Sequence, residues 1–116
     1  MIKFLDIYQQ DKSLHKYIIS DIKKSFKNTD FINGRAVKEF ENLFAKFCKT
    51  NYAIGCSNGT DALTAALKSF NFPANSEVII PAMTYCSTAF SVINAGLKPV
   101  LVDLKENTPT IDVNLI

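Results

Sequence analysis

Two stretches in the first half of the chain carry apolar residues at helical spacing. The first covers residues 11–28, and its apolar positions are Leu14, Tyr17, Ile18, Ile22 and Phe26. The second covers residues 35–49, and its apolar positions are Val37, Phe40, Phe44 and Phe47. Both sets recur about every 3.6 residues with charged residues between them, which predicts two amphipathic helices in series. Asn33 and Gly34 precede the second stretch and predict a turn and a helix cap there.

After residue 51 the pattern changes to short apolar runs that alternate with helical stripes. The runs cover residues 52–56, 77–80 and 99–103. The first stripe contains Leu63, Ala66, Leu67 and Phe70, and the second covers residues 87–95 and ends at Gly96. Strands without polar alternation, separated by helices, indicate a parallel sheet covered on both faces. The sequence therefore predicts an α/β chain with a β-α-β-α-β unit, divided into a helical segment at 1–51 and an α/β part at 52–116.

Composition narrows the class of protein. The chain has 116 residues, of which 47% are hydrophobic and 21% charged, as expected for one globular domain at most. No apolar run approaches the roughly 18 residues of a membrane span, and Asp6 lies where a secretory signal would be apolar. We therefore expect a cytoplasmic protein without a membrane partner.

Charge and cysteine content point to neither nucleic acid nor metal. The net charge is +2, and the basic residues of the predicted first helix have no interleaved aromatic platform, so no nucleic-acid partner is expected. The three cysteines are too widely spaced for a disulfide framework or a zinc site. We expect them to be reduced, with Cys48 in the core.

The candidate chemistry lies in two turns that follow predicted strands, where ligands of parallel sheets bind. The first turn, residues 57–61, contains Ser57, Asn58, Gly59, Thr60 and Asp61 at the start of a predicted helix. Backbone N–H groups and the helix dipole favour a phosphate there, and the hydroxyls of Ser57 and Thr60 can donate to it. The alternative is structural: Ser57 or Thr60 caps the helix and Asp61 complements its dipole. Neither a dinucleotide fingerprint nor a P-loop is present.

The second turn, residues 81–88, places Tyr85 among hydroxyl groups. The ring could stack on a planar ligand or serve only as a packing residue. One turn for an anion and the next for a flat ring together describe the two ends of a phosphorylated aromatic cofactor.

Several ordered strings resemble one family. They are SNGTDAL at 57–63, VIIPAMTYCST at 78–88 and GLKPVLVD at 96–103, preceded by FLD at 4–6 and FINGRAVKEFE at 31–41. Together they resemble the N-terminal third of the pyridoxal-phosphate-dependent sugar aminotransferases of the DegT/DnrJ/EryC1/StrS family. The likeness covers essentially the whole chain.

The resemblance implies a fold, a cofactor and site residues. The fold is the large domain of the aspartate-aminotransferase-like transferases, known as fold type I. Gly59, Thr60 and Asp61 match the turn that holds the phosphate of pyridoxal 5'-phosphate, Ser57 and Asn58 flank it, and Tyr85 matches the aromatic that stacks on the pyridine ring. Gly34 and its neighbours match a stretch near the mouth of the active site. The family acts as homodimers and moves an amino group, commonly from glutamate, onto a nucleotide-linked keto sugar.

The catalytic lysine is expected to be absent. In this family the lysine that forms the Schiff base and the acid that pairs with the pyridine nitrogen lie beyond the third strand. No lysine of this chain matches that position, and Lys98, which precedes Pro99, is interpreted as a solvated loop residue. We therefore expect the 116-residue chain alone to be inactive. Two alternatives stay open: a non-catalytic remnant or half of a split enzyme, and a nucleotide-binding α/β domain.

Overall fold

The structure is a computed structural model that describes residues 3–116. The chain divides into two compact units between Gly55 and Cys56. Each unit is described by itself below.

The first unit is helical. It contains α1 (Ile7–Gln10), α2 (His15–Asn28) and α3 (Arg35–Cys48). The prediction of two long helices is confirmed, although α2 begins four residues later than residue 11. A separate turn explains the difference: α1 is capped by the Asp6 carboxylate, which accepts a hydrogen bond from the Gln9 amide, and residues 11–14 form turns before α2 starts.

The start of α3 depends on Asp30 as well as on Gly34. Gly34 is the N-cap residue, as predicted, but it has no side chain to offer. The Asp30 carboxylate takes the role of the missing cap side chain and accepts a hydrogen bond of 3.1 Å from the Arg35 amide. A Cβ atom at Gly34 would lie 1.9 Å from the Asp30 carboxylate, so another residue here would displace that carboxylate from its place at the helix start.

The second unit is a small α/β layer. It contains α4 (Gly59–Ser69), β1 (Glu77–Pro81), α5 (Ser87–Asn94), β2 (Lys98–Val102) and a 3-10 helix (Val113–Leu115). β1 and β2 are parallel, with Glu77 opposite Lys98, and α5 connects them. The Lys98 ammonium lies 2.8 Å from the Glu77 carboxylate, and this hydrogen bond and charge raise the pKa of Lys98.

The predicted strand at 52–56 is wrong. The structure assigns no strand there, and among the described residues the sheet has two strands. The Gly55 amide donates a 2.7 Å hydrogen bond to the Glu41 carboxylate of α3 instead of to a neighbouring strand. An apolar run is assigned as a strand only where it joins a ladder, and the ladder among the described residues joins β1 and β2.

A compact apolar cluster holds the second unit together. Ile80 of β1, Val92 of α5 and Leu97 are buried, and Leu67, Val78, Ala89 and Ala95 pack against them. The path from α5 into β2 turns at Gly96, whose φ of +79° is in the left-handed region that glycine adopts without strain. This confirms the predicted helix end.

Much apolar surface is exposed in both units. The apolar stripes of α2 and α3, including Phe26 and Phe47, are open to solvent, and so is Leu101 of β2. Cys48 is also exposed, contrary to the expectation that it is in the core, because it lies at the end of α3, where Phe47 is exposed as well. All three cysteines are exposed and lie outside disulfide bonds.

Candidate functional site

The first turn is organised by Asn58, which caps α4. The Asn58 side-chain oxygen accepts a hydrogen bond of 2.9 Å from the Asp61 amide, and the Asn58 carbonyl oxygen accepts one from Ala62. Sequence reasoning favoured Ser57 or Thr60 as the cap. The spacing of Asn58 and Asp61, three residues apart at a helix start, is the signal that identifies the actual cap.

The Asp61 carboxylate is held within the same turn. It accepts hydrogen bonds from the Ser57 hydroxyl and from the Asn58 side-chain amide, the latter at 3.0 Å. These donors partly neutralise its charge and fix the shape of residues 57–61. Asp61 also lies in the first turn of α4, where a negative charge stabilises the helix dipole.

Two backbone donors remain at the helix start. Among residues 3–116, no acceptor is found for the amides of Gly59 and Thr60, whereas those of Asp61 and Ala62 are occupied by Asn58. The Thr60 hydroxyl donates to no described residue either. A Cβ atom at Gly59 would meet nothing within 4 Å, so the space beside these donors is open. The turn therefore presents an uncovered set of anion-binding donors.

The second turn leaves its aromatic ring accessible. Tyr85 is 78% exposed and lies two residues before α5, and its carbonyl oxygen accepts a hydrogen bond from the Thr88 amide. Its ring stacks on no other aromatic ring among the described residues. The hydroxyls of Thr84 and Thr88, which precede and follow Tyr85 in the chain, are 3.0 Å apart and close the turn. Tyr85 is thus presented on a fixed turn rather than packed away.

Helix packing, rather than two adjacent strands, relates the two turns. The first turn does not follow a strand, because residues 52–56 form none. Instead α4 packs against α5, and the Ser91 hydroxyl lies 3.1 Å from the Thr60 carbonyl oxygen. Each turn immediately precedes or begins one of these two helices. The structure therefore places both turns at the starts of a packed helix pair.

Sequence reasoning missed Ser91. The signal was present, since a serine interrupts the apolar stripe of residues 87–95. Gly34 lies in the first unit, where its close neighbour is Asp30.

Residues 3–116 contain no cluster of three His, Cys, Asp or Glu side chains that could hold a metal ion. In the same range, no helix is both long and apolar enough to cross a membrane.

The sequence and the fold match a known class of enzymes. The model of the DegT/DnrJ/EryC1/StrS aminotransferase family matches residues 12–116, and the chain belongs to this family. One relative is the dTDP-3-amino-3,6-dideoxy-alpha-D-galactopyranose transaminase of Aneurinibacillus thermoaerophilus. It is 36% identical over 112 residues, which cover 97% of this chain and 31% of the relative.

Solved structures show the same fold. DesV of S. venezuelae, in complex with a ketimine intermediate, matches with a TM-score of 0.90 and 32% identity over 98% of this chain and 31% of that one. Spr1654 of Streptococcus pneumoniae in its PLP form matches with a TM-score of 0.79 and 27% identity, over 84% of this chain and 25% of that one. The predicted fold class is thereby confirmed. The chain spans about a third of the length of these proteins or less.

Proposed function

We propose that this chain is the cofactor-binding part of an aminotransferase that uses pyridoxal 5'-phosphate and acts on nucleotide-linked keto sugars, with glutamate as the amino donor. The relative from A. thermoaerophilus is a transaminase of a dTDP-linked sugar, and Spr1654 has been solved in its PLP form. The family and its structural neighbours support the cofactor, and the activity of the relative supports the substrate class.

The observation that carries the proposal is the pair of uncovered amides at Gly59 and Thr60. Among the described residues they have no acceptor, and they lie at the positive end of the α4 dipole. A phosphate group bound at these amides gains hydrogen bonds that the folded chain does not otherwise make. The Thr60 hydroxyl adds a third donor, and the open space at Gly59 leaves room for the phosphate oxygens.

Asp61 fits this proposal as a positioning residue rather than as a phosphate ligand. Its amide is occupied by Asn58, and its carboxylate would repel a second anion. The same carboxylate holds Ser57 and the Asn58 side chain in place, which keeps the turn in the shape that exposes the two amides. The role assigned to Asp61 therefore changes from holding the phosphate to shaping the turn that holds it.

Tyr85 would contact the other end of the cofactor. Its ring is exposed on a braced turn, and an offset-stacked aromatic pair contributes roughly 0.5–1.5 kcal/mol beyond area burial. When bound, pyridoxal 5'-phosphate supplies an electron-withdrawing ring on which an amino group can be exchanged. The residues of this chain bind and orient that ring. The catalytic lysine and the acid facing the pyridine nitrogen are proposed to lie outside these 116 residues.

The proposal includes a homodimer in the cytoplasm. The exposed apolar stripes of α2 and α3 are surfaces that a second subunit or further chain would cover. Three exposed cysteines outside disulfide bonds are typical of a reducing compartment. Size measurement by light scattering of the full-length protein tests the dimer: a monomer at micromolar concentration contradicts it.

The phosphate site is tested by comparing ligands that differ only in the phosphate. In the full-length protein, pyridoxal 5'-phosphate should bind at least about tenfold more tightly than pyridoxal, since several charge-assisted hydrogen bonds are involved. Thr60→Val should weaken binding of the phosphorylated ligand about fivefold and leave pyridoxal unchanged. Thr110→Val, which removes an exposed hydroxyl outside both turns, is the matched control. Equal affinities for the two ligands would contradict the proposal.

The absence of the catalytic lysine is tested on the 116-residue chain. Borohydride reduction in the presence of pyridoxal 5'-phosphate should leave no single lysine labelled in a one-to-one ratio, and no transamination should occur. Stoichiometric labelling of one lysine together with turnover would show that the chain carries its own catalytic lysine.

A further inference from the structure

Ser91 is a buried polar side chain in an apolar setting. It lies on α5 next to Val92 of the core, and only 1% of its surface is exposed. Its hydroxyl lies 2.6 Å from the Ser87 carbonyl oxygen, one turn earlier on the same helix, and 3.1 Å from the Thr60 carbonyl oxygen on α4. The single hydroxyl proton is shared by these two carbonyl oxygens in a three-centre hydrogen bond, so Ser91 is tied to α4 as well as to its own helix.

Thr64 makes the reciprocal connection from α4. Its hydroxyl donates to the Thr60 carbonyl oxygen at 2.9 Å and lies 3.5 Å from the Ser91 carbonyl oxygen. Two hydroxyls and two backbone carbonyls of neighbouring helices thus converge at one point. Because low-dielectric surroundings strengthen such contacts, this point fixes α4 on α5 more specifically than apolar packing alone.

The connection reaches both turns of the site. Thr60 belongs to the first turn and supplies one of its two uncovered amides, while α5 begins two residues after Tyr85. A shift of α4 along α5 would therefore change the separation between the phosphate donors and the aromatic ring. A phosphorylated ring compound requires a fixed separation, whereas free phosphate requires only the first turn.

We propose that Ser91 is a positioning residue that fixes the distance between the first turn and Tyr85. At this distance the two turns can contact the phosphate and the ring of the same ligand. The inference rests on the proposed function. It makes a prediction that a purely structural role does not make: loss of the Ser91 hydroxyl should affect a ligand that contacts both turns more than one that contacts the first turn only.

The experiment compares Ser91→Ala with the wild type in the full-length protein, using pyridoxal 5'-phosphate and inorganic phosphate as probes. Absorbance titration gives the affinity for the cofactor, and competition gives the affinity for phosphate. Ser91→Ala should weaken the cofactor about fivefold and phosphate less than about twofold. Ser69→Ala is the control, because it removes a similar hydroxyl, bonded to the Ala66 carbonyl, from the far end of α4.

The outcomes separate this inference from the proposed function. If Ser91→Ala weakens both probes equally, or lowers the melting temperature without changing either affinity, Ser91 is structural only and the inference is wrong. If the wild type binds neither probe, the proposed function itself fails. Ser91→Cys, which replaces the hydroxyl by a slightly larger group that is a weaker donor, should show the same preference between probes and serves if the alanine variant does not fold.

Discussion

The side-chain oxygen of Asn58 accepts a hydrogen bond of 2.9 Å from the backbone amide of Asp61, and this contact starts α4. It occupies the third amide of the helix and leaves the first two, those of Gly59 and Thr60, without an acceptor among the described residues. A cap that took all the early amides would leave nothing for a ligand. The choice of Asn58 as cap therefore both stabilises the helix and creates the donors of the site.

Replacement of Asn58 tests whether this residue caps α4. Asn58→Ala removes the cap and should lower the free energy of unfolding by about 1 kcal/mol, measured by urea denaturation. The matched control is Asn94→Ala at the exposed end of α5, which should change stability little. Equal stability losses in the two variants would show that Asn58 does not act as a cap.

The two glycines Gly59 and Gly96 should respond oppositely to alanine. Gly96→Ala should destabilise the fold by about 1–2 kcal/mol, because its φ of +79° is unfavourable for an L side chain although the Cβ meets no atom. Gly59→Ala meets no atom either and has no positive φ, so the fold should keep its stability. Its methyl group projects at the first turn, so cofactor affinity should fall instead.

Thermal unfolding and cofactor titration of both glycine variants check this pair. A loss of stability in Gly59→Ala as large as in Gly96→Ala would mean that Gly59 is required for the fold rather than for a ligand.

Substitution of Tyr85 should distinguish stacking from hydrogen bonding. Tyr85→Phe keeps the ring and should retain cofactor affinity within about twofold, whereas Tyr85→Ala should weaken it roughly three- to tenfold. Because Tyr85 is 78% exposed, neither change should alter the melting temperature appreciably. Affinity is read from absorbance titration. Unchanged affinity in Tyr85→Ala would contradict the stacking role.

Glu41 should protect the Gly55 amide from hydrogen exchange with solvent. Glu41→Ala removes the acceptor of the 2.7 Å hydrogen bond, so hydrogen exchange at Gly55 should become faster and the first unit should lose about 1 kcal/mol of stability. Glu39→Ala on the same helix changes helix propensity equally and is the control. If Gly55 exchanges at the same rate in both variants, the contact does not persist in solution.

The helices were predicted correctly where the spacing of nearby apolar residues or a glycine determines them. The stripe through Val37, Phe40, Phe44 and Phe47 predicted α3 to within one residue of its end, and Gly96 marked the end of α5. The run at 52–56 was mispredicted because strand formation depends on a partner strand, which local composition does not specify. Its Gly55 amide pairs with a helix side chain fourteen residues earlier in the chain.

The sequence was sufficient to propose where the candidate site lies, but not to predict the contacts within its two turns. The residues of both turns were identified from their order and from the family resemblance. The serine in the apolar stripe of residues 87–95 indicates a buried hydroxyl, but its contact with Thr60 spans 31 residues and depends on how α4 packs on α5, so the partner could not be read from the sequence. Likewise, the hydrogen bond from the Asp61 amide to Asn58 depends on the geometry of the cap. That geometry determines which amides are left for a ligand.

The central claim is that the amides of Gly59 and Thr60 hold a phosphate while Tyr85 contacts the ring of the same molecule. A crystal structure of the full-length protein with pyridoxal 5'-phosphate tests it most directly. Phosphate oxygens should lie at ordinary hydrogen-bond distance, about 2.9 Å, from both amide nitrogens, with the pyridine ring against Tyr85. A cofactor bound elsewhere, or a phosphate that leaves both amides without a contact, would contradict it.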